Sequence, residues 1–154
     1  KAMAEYCKST AFQEPPFTVS TEFITILRKH VQPEYQQLVT DLLEKITLYD
    51  FEIKKADGEK KSDTEYSVAL TMNATKKYAD EKGEETDAAI TEPVTIVVYN
   101  DKEDELYRKK HMIQGNDVTL ALQLTQKPAS VVIDPDYLFI DRDLQNNKKT
   151  VTVK

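Results

Sequence analysis

Few residues in this sequence have the types and spacing that perform chemistry. The histidines are His30 and His111, far apart in the chain. A catalytic zinc needs several protein ligands converging on the metal and usually a carboxylate base beside it. Neither histidine belongs to an HExxH motif, so no metal or catalytic residue is assigned to either. His30 falls in the last turn of an expected helix, where an imidazolium complements the helix C-terminus. His111 lies beside Lys109 and Lys110 and reads as a residue of a solvated face. Cys7 is the lone cysteine. At helical spacing from Met3 it reads as a small buried hydrophobe rather than a nucleophile, and it excludes an internal disulfide framework. Gly58, Gly83 and Gly115 all fall in expected turns. There is no GxSxG motif and no Gly-rich phosphate loop, so nucleotide binding through a P-loop or Rossmann turn is excluded.

The densest polar cluster is Asp134-Pro135-Asp136, followed by Asp141-Arg142-Asp143-Leu144-Gln145-Asn146-Asn147. Asp141, Asp143 and Gln145 alternate as calcium ligands do. An EF-hand loop needs Gly at its sixth position and Glu at its twelfth, and Asn146 and Thr152 stand there. Asp and Asn also build turns by bonding their own backbone, and that reading is preferred for Asp134 to Asn147.

The elements that must hold these residues change character along the chain. Lys1 to Phe12 reads as the tail of a helix, with Met3, Tyr6 and Cys7 on one face. The chain opens in mid-pattern at Lys1 and reads as a piece of something larger. Pro15-Pro16 ends the helix. Ser20 is expected to cap the next helix, with Val19 and Ile24 as a hydrophobic staple. Phe23, Ile24, Leu27 and Val31 form its stripe. Pro33 suits a helix start. Tyr35, Leu38, Val39, Leu42, Leu43 and Ile46 then repeat at the strongest helical period in the chain.

After about Leu48 the period becomes 2. Tyr49 to Ile53, Tyr66 to Ala74, Val94 to Tyr99, Leu106 to Ile113 and Val118 to Leu124 read as strands. Val131 to Ile133, Leu138 to Ile140 and Val151 to Val153 read as short closing strands. Gln114 to Asp117 carries a turn signal. Lys55 to Thr64 reads as a hairpin loop and Asp80 to Ala89 as a mobile acidic loop. The expected fold is mainly β: an antiparallel immunoglobulin-like β-sandwich over residues 49–154, preceded by a short α-helical hairpin within residues 1–48.

Composition narrows the function classes. Lys and Arg total 21 against 27 Asp and Glu, a net charge of -6. That excess of acid argues against nucleic acid as a partner, since phosphates need a basic face. No apolar run approaches the roughly 18 to 20 residues that cross a bilayer as a helix, so direct membrane insertion of these residues is not expected.

Several phrases resemble one protein family. Lys127-Pro128, the run Ser130 to Asp143 and Asn146-Asn147 resemble the close of large bacterial membrane proteins that join an ABC-type transporter permease region to a gluzincin-type zinc aminopeptidase region. Phe12-Gln13-Glu14-Pro15-Pro16-Phe17 is similar to the exit from that family's helical peptidase part. Leu38 to Asp50 is similar to its approach to the final sandwich. The similarity runs from about residue 12 to 153 and is weakest over Asp80 to Asp104. It implies a non-catalytic, C-terminal accessory sandwich that buttresses the catalytic region, its partner, in the same polypeptide. The family's HExxH and downstream Glu have no counterpart here, so the resemblance transfers no catalytic, cofactor or metal residue, and zinc would belong to the parent. It also implies a membrane-associated parent with this domain on the extracytoplasmic side. The alternative is a free-standing extracytoplasmic binding module for protein or glycan. That reading predicts clustered aromatic side chains, with Tyr99, Tyr107 and Tyr137 as candidates.

Overall fold

The computed structural model describes residues 1–113 and 117–154. It divides into two compact units, Lys1–Ile46 and Thr47–Lys154.

The first unit holds α1 (Ala2–Thr10), α2 (Ser20–His30), a 3-10 turn (Pro33–Tyr35) and α3 (Gln36–Leu43). The expected helices are present, but their packing differs from the expectation. Tyr6 of α1 meets Phe23 of α2 edge-on, with ring centroids 5.3 Å apart. Met3 and Cys7, expected on a buried face, are exposed, and Ala2 is the buried residue of α1. An i, i+4 face through Ala2 and Tyr6 thus replaces the Met3–Cys7 face, one residue earlier and about 100° around the helix. Ser20 is the first helical residue rather than the cap. Val19 takes the cap position without a side-chain bond and stays exposed, so the staple does not form. Pro33 opens the 3-10 turn as expected. Helix α3 stops at Leu43 and Ile46 already belongs to a strand, so the long apolar stripe is only partly helical.

Polar links hold this unit together. The Arg28 guanidinium donates to the Gln36 carbonyl at 3.1 Å, to Thr40 Oγ1 at 2.7 Å and to Glu44 Oε2 at 2.7 Å. Arg28 thereby ties α2 to α3. His30 Nε2 lies 2.7 Å from Glu5 Oε2, linking α2 to α1, and Lys29 sits on the same carboxylate at 3.6 Å. These bonds hold the Glu5 carboxyl below its ordinary range.

The second unit is a β-sandwich of two sheets. It contains β1 (Ile46–Ser62), β2 (Glu65–Ala79), β3 (Glu85–Ala88), β4 (Pro93–Tyr99), β5 (Glu105–Met112), β6 (Val118–Leu124), β7 (Ser130–Ile133), β8 (Lys148–Thr150) and β9 (Thr152–Val153). One sheet runs β3-β2-β1-β9, with β6 also paired to β2; the other runs β5-β4-β7-β8. Strands β2–β3, β2–β6, β4–β5, β4–β7 and β7–β8 pair antiparallel, whereas β1 meets β9 in parallel, Asp57 opposite Thr152 and Gly58 opposite Val153. The core follows the period-2 pattern. Tyr49, Phe51 and Ile53 of β1, Val68, Leu70, Met72 and Ala74 of β2, and Leu122 and Leu124 of β6 are buried. Strand β4 is buried from Val94 to Val98, as its continuous apolar run requires of a central strand.

Four local expectations are corrected. The segment 55–64 is not a loop: β1 reaches Ser62, and the turn to β2 is Asp63-Thr64 alone. Polar side chains there point outward while the backbone stays paired. The acidic segment 80–89 contains β3, paired to β2 from Lys76–Ala88 to Ala79–Glu85. Leu138 to Ile140 is not a strand; an isolated parallel bridge between Tyr49 and Asp141 follows it. Gly58 lies within β1, where an added Cβ would stand 2.9 Å from Val151 Cγ1 and 3.0 Å from Val153 Cγ2. Its glycine serves close approach of β9, not a turn. Of the expected 114–117 turn, residues 114–116 lie outside the described residues.

Residues 140–154 run along the outer edge of β1. Tyr49 N–H donates to the Ile140 carbonyl at 2.9 Å and Arg142 N–H donates to the Tyr49 carbonyl at 3.0 Å. Ile53 N–H donates to the Asn146 carbonyl at 3.1 Å, and Lys154 N–H donates to the Gly58 carbonyl at 3.0 Å. Between these contacts the chain crosses to the other sheet as β8, where Ser130, Val131 and Val132 pair with Thr150, Lys149 and Lys148. One segment therefore seals an edge of both sheets.

Candidate functional site

The Asp134–Asn147 cluster organises one end of the sandwich. Asp134 follows β7 in a left-handed conformation (φ 47°) and is 1% exposed. Its N–H donates to the Thr95 carbonyl at 2.9 Å. Its carboxylate accepts the N–H of Leu138 at 3.1 Å and of Phe139 at 3.0 Å. Phe139 packs edge-on against the stacked rings of Tyr49 and Phe51, at centroid distances of 4.9 and 5.5 Å. Asp141 accepts the N–H of Phe51 at 3.2 Å, the N–H of Asp143 at 3.0 Å and Asn147 Nδ2 at 2.9 Å. Asp143 accepts the N–H of Gln145 at 3.0 Å, and Asn146 Nδ2 donates to Asp50 at 3.1 Å. These carboxylates bind backbone amides and side-chain amides, which is the turn-building chemistry of Asp and Asn. No group of three or more His, Cys, Asp or Glu among the described residues is placed to hold a metal ion.

Beside this cluster is a cleft of about 410 Å³. Strand β7 supplies Ser130 and Val132, and the ends of neighbouring elements supply Tyr99, Glu103, Tyr137, Asn147 and Lys148. Tyr137 is 70% exposed at the rim. Asn147 is 3% exposed, and its Oδ1 has no hydrogen-bond partner. Tyr99 reaches the cleft because it pairs with Ser130 across β4 and β7. Of the three tyrosines singled out in the sequence, Tyr99 and Tyr137 line the cleft. Tyr107 does not: its hydroxyl lies 2.7 Å from His111 Nε2 and the two rings stack. His111 is accordingly half-buried and bonded rather than a solvated face residue. Burial and the nearby Lys109 charge press its pKa down, and burial raises that of Tyr107.

Sequence reasoning did not find a buried ion pair. Lys76 continues the dry face of β2 and is 2% exposed; its Nζ bonds the Glu92 carboxylate, also 2% exposed. The Tyr78 and Tyr49 rings lie 5.4 and 5.9 Å from that ammonium. Thr91 N–H donates to the second Glu92 oxygen at 2.8 Å. The signal was present: Val68, Leu70, Met72 and Ala74 place the next inward position at Lys76.

No protein-family model matches the chain, and no curated protein is significantly similar to it in sequence. The site is therefore read from its own residues.

Proposed function

We propose that this chain is a non-catalytic accessory β-sandwich of a membrane-associated zinc aminopeptidase-like protein, buttressing the catalytic region through its helical unit. The observation that supports this is the unburied apolar surface of that unit. Met3 is 59% exposed, Phe12 103% and Phe17 71%, and Leu42 and Leu43 are nearly half exposed. In the same unit only Ala2 and Val39, among the described apolar residues, are buried. Apolar side chains displayed at that density fit a surface that another domain covers. The family resemblance supplies the covering domain, a catalytic region in the same polypeptide. Zinc would be held there, and an extracytoplasmic location for the sandwich belongs to the same proposal. The coding sequence upstream of Lys1 tests it: an in-frame HExxH with a downstream Glu is expected, and a reading frame lacking both overturns it. In the parent, Leu42→Gln with Leu43→Gln should lower the unfolding midpoint. The same pair in this chain should change stability by about 0.5 kcal/mol or less per site. Unfolding of the chain on these changes would make them core residues and remove the docking surface.

A second reading, a recognition module for protein or glycan, is favoured by one observation: Tyr99 and Tyr137 share a cleft with the unpartnered Asn147 Oδ1.

A further inference from the structure

We infer that the cleft between Tyr99, Tyr137 and Asn147 is a binding site for a neutral oligosaccharide. This deepens the recognition-module reading and rests on it.

The volume, about 410 Å³, falls within the roughly 300–1,000 Å³ of small-ligand sites. Its apolar lining is Val132, Ile133, Pro135 and Leu144 with the rings of Tyr99 and Tyr137; tyrosine faces suit the C–H face of a sugar while the hydroxyl end stays polar. Its polar groups are mixed. Asn147 Oδ1 lies buried beneath the cleft without a donor from the chain, and a water held between it and a sugar hydroxyl would supply one. Glu103 and Lys148 add one charge of each sign. The Asp134 carboxylate is already occupied by the Leu138 and Phe139 amides. The exposed charges are thus one of each sign, and hydroxyls, which both donate and accept, can use either.

The cleft is also held rigid. Glu103 (φ 65°), Asp134 (φ 47°) and Tyr137 (φ 53°) are all left-handed and all line it. Non-glycine residues occupy that region at a cost, and such positions gather at binding sites. Tyr137 N–H donates to the Asp134 carbonyl at 3.1 Å, fixing the backbone that carries the rim ring. A rim aromatic fixed before binding loses little entropy when a ligand docks.

A peptide is the less suitable occupant. Extended peptides bind by adding a strand to an open sheet edge. The β7 strand that runs under the cleft is hydrogen-bonded to β4 on one side and to β8 on the other.

The test titrates cello-, malto-, xylo- and chitotetraose into the isotopically labelled 154-residue chain and follows backbone amide shifts. The expected result is saturable binding of at least one tetrasaccharide, with shifts confined to Tyr99, Glu103, 130–137 and 144–148. Tyr137→Ala, at an exposed position, should weaken that binding about tenfold with an unchanged unfolding midpoint. Absence of binding by all four sugars at millimolar concentration overturns the inference. So does binding whose shifts lie elsewhere or survive Tyr137→Ala. A random peptide library screened in parallel separates the two levels. Peptide binding lost in Tyr137→Ala, without sugar binding, keeps the recognition module and discards its glycan. Failure of both discards the module as well.

Discussion

The helical unit and the sandwich each centre on a basic side chain, and the two centres work in opposite media. Arg28 ties α2 to α3 with a side chain still 30% exposed. Lys76 bonds Glu92 with both side chains almost wholly enclosed. All the buried apolar residues described, except Ala2 and Val39, belong to the sandwich. A polar link beside water is exchangeable with solvent, so removing it costs little. A polar link inside an apolar core has no such replacement, and loss of one partner leaves the other stranded. The sandwich is thus held by what it excludes and the helical unit by what it shares with solvent.

The largest break in that contrast comes from Lys76→Met. It should cost about 3–5 kcal/mol, because the Glu92 charge stays enclosed without its ammonium. Pairing it with Glu92→Leu should recover most of the loss, and urea unfolding of both variants measures the difference. A single change below about 1 kcal/mol would show that the pair is not enclosed. Asp141→Ala comes next. It removes the acceptor of Phe51 N–H, Asp143 N–H and Asn147 Nδ2. The expected cost is about 1–3 kcal/mol, with hydrogen exchange at Phe51 accelerated. Arg28→Ala sharpens the other side of the comparison. Its loss should be about 1 kcal/mol, seen as fraying of α3 while amide protection in the sandwich is unchanged.

The smallest effect is a pH dependence. In the fold, burial and Lys109 lower the His111 pKa, so the folded chain takes up this proton less readily than the unfolded chain. As pH falls through the ordinary histidine range near 6.5, the unfolded state is protonated first and stability declines. His111→Gln should flatten that decline between about pH 7 and 5. An identical slope in the variant would assign the titration to other groups.

The two regions were not equally legible in the sequence. Strand cores such as Val68, Leu70, Met72 and Ala74 were readable because alternation fixes which face is dry. Polar strands were not. Residues 55–62 and β3 carry few apolar side chains, so no alternation marks them; β3 pairs with β2 through backbone bonds across a short polar turn. In α1 the apolar residues could satisfy more than one helix face, and the Tyr6–Phe23 contact decides between them. The Asp134–Asn147 cluster was visible as composition and as turn chemistry. Which amide each carboxylate accepts depends on the fold: Phe51 N–H and Asp141 are 90 residues apart. The cleft was legible only as separate tyrosines, since Tyr99 and Tyr137 meet through the β4–β7 register.

The segment 140–154 has a kinetic consequence. Its bonds to β1 close loops of about 90 residues, as the Phe51–Asp141 contact does. Long-range closures of this kind form late, after local hairpins such as β1–β2 are in place. Until then β1 carries an unpaired row of donors and acceptors, the feature that templates pairing between chains. Refolding yield should therefore fall with protein concentration during that interval, and the slowest folding phase should report the arrival of these residues.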